Sequence, residues 1–204
     1  MTYTRYMQNI QFPLTFTFKI STFSNDFVIQ DASGDTISFV RQKLFKFIEE
    51  VNVYSDESKS EELYSIRANK WLDFSAAYAF TDSSGREVGS VARKGWASLW
   101  KARYEIYDAH KNQDLLIQEE NGWIKVADGI LGEIPILGFF TGYLFNPSYL
   151  ITRPNGDAVA RLEKKPSLFG RRFTVTKIGE FEEGEEERAI LSLMMMILLE
   201  RRRG

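Results

Sequence analysis

The chain has 204 residues, of which 44% are hydrophobic and 14% aromatic, a composition typical of a packed core and not of a disordered chain. Its 26 basic and 28 acidic residues leave a formal net charge of -2, so no overall field attracts nucleic acid, and an anion site must be a local patch. There is no cysteine, which excludes disulfides, thiolate nucleophiles and cysteine-based zinc sites and is compatible with a reducing cytoplasm.

The first residues, 1–17, lack the continuous apolar stretch of a secretory signal, so we predict a cytoplasmic protein. No linker rich in Pro, Gly or Ser divides the chain, and its length suits one large core. We therefore predict a single domain over residues 1–204. Its first strand is predicted within residues 12–20.

A repeat built around glycine predicts β-hairpins. In each copy an aromatic residue lies seven positions before the glycine, an apolar β-branched residue three after it and a lysine nine after it. The glycine ends a turn sequence and tolerates positive φ, and apolar residues alternate on both flanks. The copies are residues 27–43 around Gly34, 78–94 around Gly85 and 149–165 around Gly156.

Similar strand-turn-strand stretches lie between these copies, so that the units recur about every 25 residues. Two strands per unit and the N-terminal strand make about twelve strands. An antiparallel sheet of that size must curl or close, so we predict a closed antiparallel barrel, a mainly β (α+β) fold. The units begin near Phe27, Val51, Tyr78, Tyr104, Tyr149 and Phe173.

Residues 121–148 interrupt the repeat. Their uncharged part runs from residue 134 to residue 152 and is about as long as a membrane span, but it is broken by Pro135, Gly138, Gly142, Asn146 and Pro147. It also leads directly into the strand predicted at Tyr149. A buried or capping insertion is the preferred interpretation, and a membrane span is the alternative.

The segment 185–203 predicts a buried helix. Three glutamates come first, residues 189–199 are apolar, and Glu200 and three arginines follow, which matches a helix macrodipole. A helix that is apolar on all sides has to be buried. The eleven residues 189–199 reach about 16 Å, about half of a bilayer core, so a span is the weaker interpretation. The lumen of a twelve-stranded barrel needs such a filler, and three consecutive methionines suit irregular packing.

The hairpin sequence Tyr104-Glu105-Ile106-Tyr107-Asp108, the Ser-Leu-aromatic connection within residues 94–100 and the apolar helix resemble the LURP-one-related family. That family belongs to the tubby-like C-terminal group, which includes the phospholipid scramblases, and the resemblance covers about residues 12–200. It implies a twelve-stranded barrel threaded by a hydrophobic helix. It also implies a membrane link, since tubby proteins bind phosphoinositide head groups through basic barrel residues and scramblases are tied to lipid movement and calcium. The insertion after Trp123 and the absence of a cysteine cluster depart from the scramblases.

No set of residues predicts catalysis or a metal site. The one histidine, His110, lies in a predicted hairpin tip, where a solvated turn explains it better than a catalytic triad. Neither glycine-rich nucleotide motif is present. The acidic clusters at 56–62 and 180–187 lack the spacing of an EF-hand loop, so we interpret them as a solvated turn and a helix start. We therefore predict no catalytic residues, no metal ligands, no cofactor and no enzyme activity.

The most suggestive polar feature is a repeated basic pattern beside two Ser-Leu-aromatic connections. If these units lay side by side, the residues would form a patch for phosphate head groups, with Trp96 or Trp100 at a membrane interface. The alternative is that they are strand-edge charges that discourage aggregation. The candidate ligand-binding residues are Arg93, Lys94, Lys101, Arg103, Lys164, Lys165, Arg171 and Arg172.

Three functions follow as hypotheses. The first is a non-catalytic module that binds anionic phospholipid or phosphoinositide head groups, or a phosphorylated partner, at the periphery of a membrane. The second is a protein-interaction or structural barrel with no lipid role. The third is a scramblase-like lipid transporter that uses residues 134–150 or the terminal helix. The expected partners are anionic membrane lipid or a protein, and not nucleic acid.

Overall fold

The structure is a computed structural model, and it describes residues 10–19, 25–43, 50–68, 76–94, 103–120, 148–165 and 172–201. These residues form twelve β-strands and one α-helix. The strands are β1 Leu14–Phe18, β2 Phe27–Gln30, β3 Thr36–Lys43, β4 Glu50–Tyr54, β5 Glu62–Ala68, β6 Ala76–Asp82, β7 Glu87–Lys94, β8 Arg103–Asp108, β9 Gln113–Glu119, β10 Ser148–Thr152, β11 Ala158–Lys165 and β12 Arg172–Lys177, and the helix is α1 Glu185–Arg201.

The strands form a closed antiparallel barrel, as the sequence predicts. Each strand pairs with its neighbours in the chain, and β1 pairs with β12 to close the ring, with Leu14 opposite Val175 and Phe16 opposite Phe173. The predicted N-terminal strand is β1, which is shorter than residues 12–20. The sixth unit contributes only β12 before the chain enters the helix. Closure gives every strand two hydrogen-bonded neighbours, so the barrel has no free strand edge.

Five tight turns of one kind join the strands of the first five units. In each turn an amide donates to the carbonyl oxygen three residues before it, as from Gly34 to Asp31 at 3.0 Å. The donating residue has positive φ, and the register shifts by one residue beside every turn. The predicted glycines are therefore confirmed, but lysine takes the same position in two turns. The positive-φ residues are Gly34, Lys59, Gly85, Lys111 and Gly156.

The two ends of the barrel differ in their connections. The five turns span residues 31–35, 55–61, 83–86, 109–112 and 153–157, and we name this end the short-turn end. The other end, where β1, β3, β5, β7, β9 and β11 finish, is the long-connection end. The predicted insertion belongs to the β9–β10 connection, and its residues 121–147 lie outside the described residues, while residues 148–152 form β10.

Helix α1 fills the barrel, as the sequence predicts. It follows β12 at the short-turn end, and every side chain from Ala189 to Leu198 is at most 2% exposed. Its apolar residues and the inward-facing residues of the strands form one core cluster. The helix is described as far as Arg201, and the last residues of the predicted 185–203 segment lie outside the described residues. Among the described residues, no helix is long and apolar enough to cross a membrane.

Ion pairs fix the start of the helix to the barrel wall. Arg153, just after β10, donates from Nε to Glu185 Oε1 at 2.9 Å and from Nη2 to Glu185 Oε2 at 2.7 Å. The backbone N–H of Glu182 donates to the same carboxylate at 2.8 Å. Burial alone would raise the pKa of Glu185, but these hydrogen bonds outweigh it and hold the pKa below its ordinary value. Glu185 is therefore a buried, ionised anchor.

Two further contacts connect the first helical turn with other strands. Arg188 Nε donates to Asp114 Oδ2 on β9 at 2.5 Å, and Tyr64 on β5 donates its hydroxyl hydrogen to Glu187 Oε1 at 2.6 Å. Burial, together with the neighbouring carboxylate, raises the pKa of Tyr64. The helix start is thus attached to three separate parts of the ring, so its position inside the barrel is fixed.

Candidate anion-binding end of the barrel

Acidic residues are concentrated at the short-turn end. The five turns and the segment 178–184 that leads into the helix contain nine acidic and four basic residues, and the helix begins with three more glutamates. The acidic residues are Asp31, Asp35, Asp56, Glu57, Glu61, Asp157, Glu180, Glu182 and Glu183, and the basic ones are Lys59, Arg86, Lys111 and Arg153. His110 is exposed in the turn 109–112 at this end.

Basic residues are concentrated at the long-connection end. The two terminal residues of every strand at this end include eight basic and two acidic residues. The basic residues are Lys43, Arg67, Arg93, Lys94, Arg103, Lys164, Lys165 and Arg172, and the acidic ones are Glu50 and Glu119. Although the chain is nearly neutral overall, the short-turn end of the barrel is therefore acidic and the long-connection end is basic.

The first cationic cluster consists of Lys94 and Arg103 around Glu105. Lys94 on β7 lies directly opposite Arg103 on β8. Both contact Glu105 Oε1, Lys94 from Nζ at 2.9 Å and Arg103 from Nη2 at 3.5 Å. Their side chains are 49% and 52% exposed, whereas that of Glu105 is 1% exposed. The cluster thus presents two cations to solvent above one buried carboxylate.

The carboxylate in this cluster is ionised. Burial alone would raise the pKa of Glu105, but hydrogen bonds from the Tyr107 hydroxyl and from Lys94, with the charge of Arg103, bring it below its ordinary value. The Tyr107 hydroxyl donates to Glu105 Oε2 at 2.6 Å, and burial together with this contact raises the pKa of Tyr107 to about 12. Glu105 therefore holds the two cations in place without neutralising both.

The second cationic cluster has a similar opposed pair, Lys165 and Arg172, in which Glu163 contacts the lysine. Lys165 at the end of β11 lies directly opposite Arg172 at the start of β12. Lys165 Nζ contacts Glu163 Oε2 at 2.6 Å, and the two side chains are 43% and 34% exposed. Arg172 is exposed. Both clusters lie on the outer face of the barrel, because they alternate with core residues such as Tyr104 and Leu162.

The other two basic candidates of the described strands point to the opposite face. Arg93 lies opposite Tyr104, and its guanidinium carbon is 6.0 Å from the centre of the Tyr104 ring. Lys164 lies opposite Phe173, which packs against the core. Of the adjacent basic residues Arg93-Lys94 and Lys164-Lys165, the second of each pair therefore belongs to a cationic cluster on the outer face, and the first points to the inner face at the mouth of the barrel. Lys101 and Arg171 lie outside the described residues.

The two clusters share one end of the barrel but do not merge into the continuous patch that side-by-side units would give. Strands β9 and β10 separate β8 from β11, so the clusters are at least about 14 Å apart along the wall at about 4.8 Å per strand. The strand-edge interpretation of these charges fails because the closed barrel has no edge to protect. Trp96 and Trp100 fall outside the described residues.

The sequence prediction missed the acidic members, Glu105 and Glu163. Each lies two residues from a basic residue of its own strand, and the two-residue period of a strand places such neighbours on one face. That spacing was the available signal. The arrangement suits the binding of an anion, because two directly opposed cations repel each other and a phosphate between them accepts hydrogen bonds from both.

Comparison with protein families gives a match between residues 36–197 and the family described as LURP-one-related. The match begins at the first residue of β3 and ends inside helix α1, so it covers most of the barrel and its filler. Comparisons with curated proteins and with solved structures give no match. The family resemblance that the hairpins and the apolar helix suggest is confirmed, and it indicates a barrel-type binding domain. The chain belongs to the LURP-one-related family.

Proposed function

We propose that this barrel is a non-catalytic module that binds anionic phospholipid head groups, including phosphoinositides, through its long-connection end. The observation that carries the proposal is the pair of opposed like charges that occurs twice at this end, Lys94 with Arg103 and Lys165 with Arg172. Like charges directly opposite each other destabilise a sheet. One carboxylate beside each pair, Glu105 or Glu163, offsets part of the repulsion and leaves a net positive charge that an anion can neutralise.

A phosphate group offsets this repulsion. Lysine and arginine donate short, charge-assisted hydrogen bonds to phosphate oxygens, and each basic residue near an anionic bilayer contributes about 1 kcal/mol of attraction. The exposed ends of Lys94 and Arg103 and the fixed position of Glu105 beneath them provide a preorganised pair of donors. The resemblance to tubby-like proteins, which use basic barrel residues for phosphoinositides, supports the same ligand class.

Vesicle flotation tests the proposal. The protein is mixed with phosphatidylcholine vesicles that contain phosphatidylserine or a phosphoinositide, and the bound fraction is measured as salt is raised. We expect binding that weakens with salt and is lost in the double variant Lys94→Glu with Lys165→Glu. The matched control is Arg86→Glu with Lys111→Glu, which makes the same charge change at the short-turn end and should retain binding. The proposal is ruled out if the wild-type protein does not bind anionic vesicles at low salt.

The competing functions give different results with the same material. A protein-interaction barrel leaves the vesicles inert and yields one specific partner in a native pull-down. A scramblase-like transporter moves labelled lipid between the leaflets of the vesicles, which a peripheral module does not. The proposed module binds the outer leaflet and leaves the lipid distribution unchanged.

A further inference from the structure

We infer that the barrel binds two anionic head groups at once, one at each cationic cluster. It therefore docks end-on on a bilayer surface and prefers that surface to any single soluble head group. The inference rests on the proposed function, because it specifies how the same end of the barrel engages lipid. It adds the number of sites, the orientation of the barrel and the form of the ligand.

The separation of the clusters requires two ligands. One phosphate reaches cations within hydrogen-bond distance, about 2.8 Å, and the clusters are at least about 14 Å apart along the wall with β9 and β10 between them. Lys94 and Arg103 can share one phosphate because they are cross-strand neighbours, and so can Lys165 and Arg172. A bilayer supplies many such groups in one plane, which a soluble head group does not.

The charge of the opposite end sets the orientation. An anionic surface attracts the eight basic strand-end residues of the long-connection end and repels the nine acidic residues of the short-turn end and the glutamates that open the helix. Both clusters lie at the same rim of the barrel, so an end-on barrel brings both of them close to the membrane surface.

Two linked sites give avidity. Once one cluster holds a lipid, the second binds at a high effective concentration, which strengthens binding by about 10²–10⁴ over one site. The bound fraction should therefore rise more steeply than linearly with the fraction of anionic lipid. Removal of either cluster alone should lower the vesicle partition coefficient at least tenfold, by loss of the avidity.

The experiment compares four variants on vesicles with increasing phosphatidylserine or phosphoinositide content. One variant carries Lys94→Gln with Arg103→Gln, the second Lys165→Gln with Arg172→Gln, the third all four changes, and the control Arg86→Gln with Lys111→Gln. Each cluster variant should bind at least tenfold more weakly, the combined variant should not bind, and the control should stay within about twofold of wild type. Soluble inositol phosphate should displace wild type poorly, because one head group cannot occupy both clusters.

A further variant guards against misfolding in the first cluster. Removal of Lys94 leaves the buried Glu105 carboxylate without that contact, so Lys94→Gln, Arg103→Gln and Glu105→Gln are also combined, and thermal unfolding confirms the fold of every variant. Two results would overturn the two-site inference and leave the proposed function standing. In the first, the whole loss of vesicle binding comes from the changes in one cluster and the changes in the other have no effect. In the second, soluble inositol phosphate displaces the protein from vesicles completely. If wild type does not bind vesicles, the proposed function itself has failed.

Discussion

Gly89 on β7 and Arg188 on the helix lie directly against each other. A β-carbon at position 89 would come within 2.6 Å of Arg188 Cδ and 2.5 Å of the Tyr107 carbonyl oxygen. The bare backbone of Gly89 gives the Arg188 side chain the space in which it extends to Asp114 on β9. A single missing side chain in the wall therefore permits the ion pair that fixes the first turn of the helix.

The substitution Gly89→Ala should destabilise the fold by about 1–3 kcal/mol, because the added methyl group overlaps both the arginine and a backbone oxygen that cannot move freely. Urea denaturation measures the change. Gly34→Ala is the comparison, since its β-carbon meets no atom within 4 Å and only the positive φ is strained, at about 1 kcal/mol. Equal stability of Gly89→Ala and wild type would refute this account of the contact.

The substitution Glu185→Gln should lower stability by about 2 kcal/mol, because it breaks a charge-assisted contact with Arg153 at a side chain that is only 5% exposed. For a chain of this size that corresponds to a fall in Tm of about 4–8 °C. Glu182→Gln is the matched control, since that side chain is 75% exposed and its oxygen is 3.7 Å from Arg153. The control should change stability by less than about 0.5 kcal/mol.

The contribution of Glu185 should also depend on pH. Its pKa in the fold lies below the ordinary value of 4.5, so the unfolded chain binds the proton more readily. The stabilisation is therefore present above about pH 4.5 and is lost as the pH falls through the folded pKa. The gap between wild type and Glu185→Gln, measured by urea midpoints at successive pH values, should be widest near neutral pH and should narrow in acid. A gap that stays constant would show that Glu185 does not act through its charge.

Deletion of residues 187–204 should unfold the whole barrel. The segment includes all of the apolar helical residues that are at most 2% exposed, and the inner faces of the strands have no other filler among the described residues. Circular dichroism and urea titration should show no cooperative transition, whereas a chain that ends at Arg201 should unfold as wild type does. A shortened chain that stays monomeric and cooperatively folded would contradict a central role for the helix.

The barrel and its helix could be predicted because both depend on local pattern. Glycine at the positive-φ position marks three turns, and an apolar segment bounded by acid and base marks the helix. The other two turns were less visible because Lys59 and Lys111 occupy the same position, which lysine adopts less readily than glycine. Those two units were predicted instead from the alternation of apolar and polar residues on either side of the turn.

The anchors of the helix and the spacing of the clusters could not be predicted in the same way. Arg153 is a turn residue in the sequence, and its contact with Glu185 depends on where the helix enters the ring. Likewise, Lys94 and Lys165 occupy equivalent positions in their repeats, but two intervening strands between β8 and β11 keep their clusters apart. Both relationships come from the closure of the ring, which no single repeat encodes.

The order of the elements has a consequence for biosynthesis. Each hairpin can pair with the preceding one as the chain leaves the ribosome, but the seam between β1 and β12 joins opposite ends of the wall, and the helix follows β12. The apolar inner face of the strands therefore stays uncovered until the helix has been synthesised. Non-local closure of this kind slows folding, and the uncovered inner surface is open to aggregation until the ring and its helix are complete.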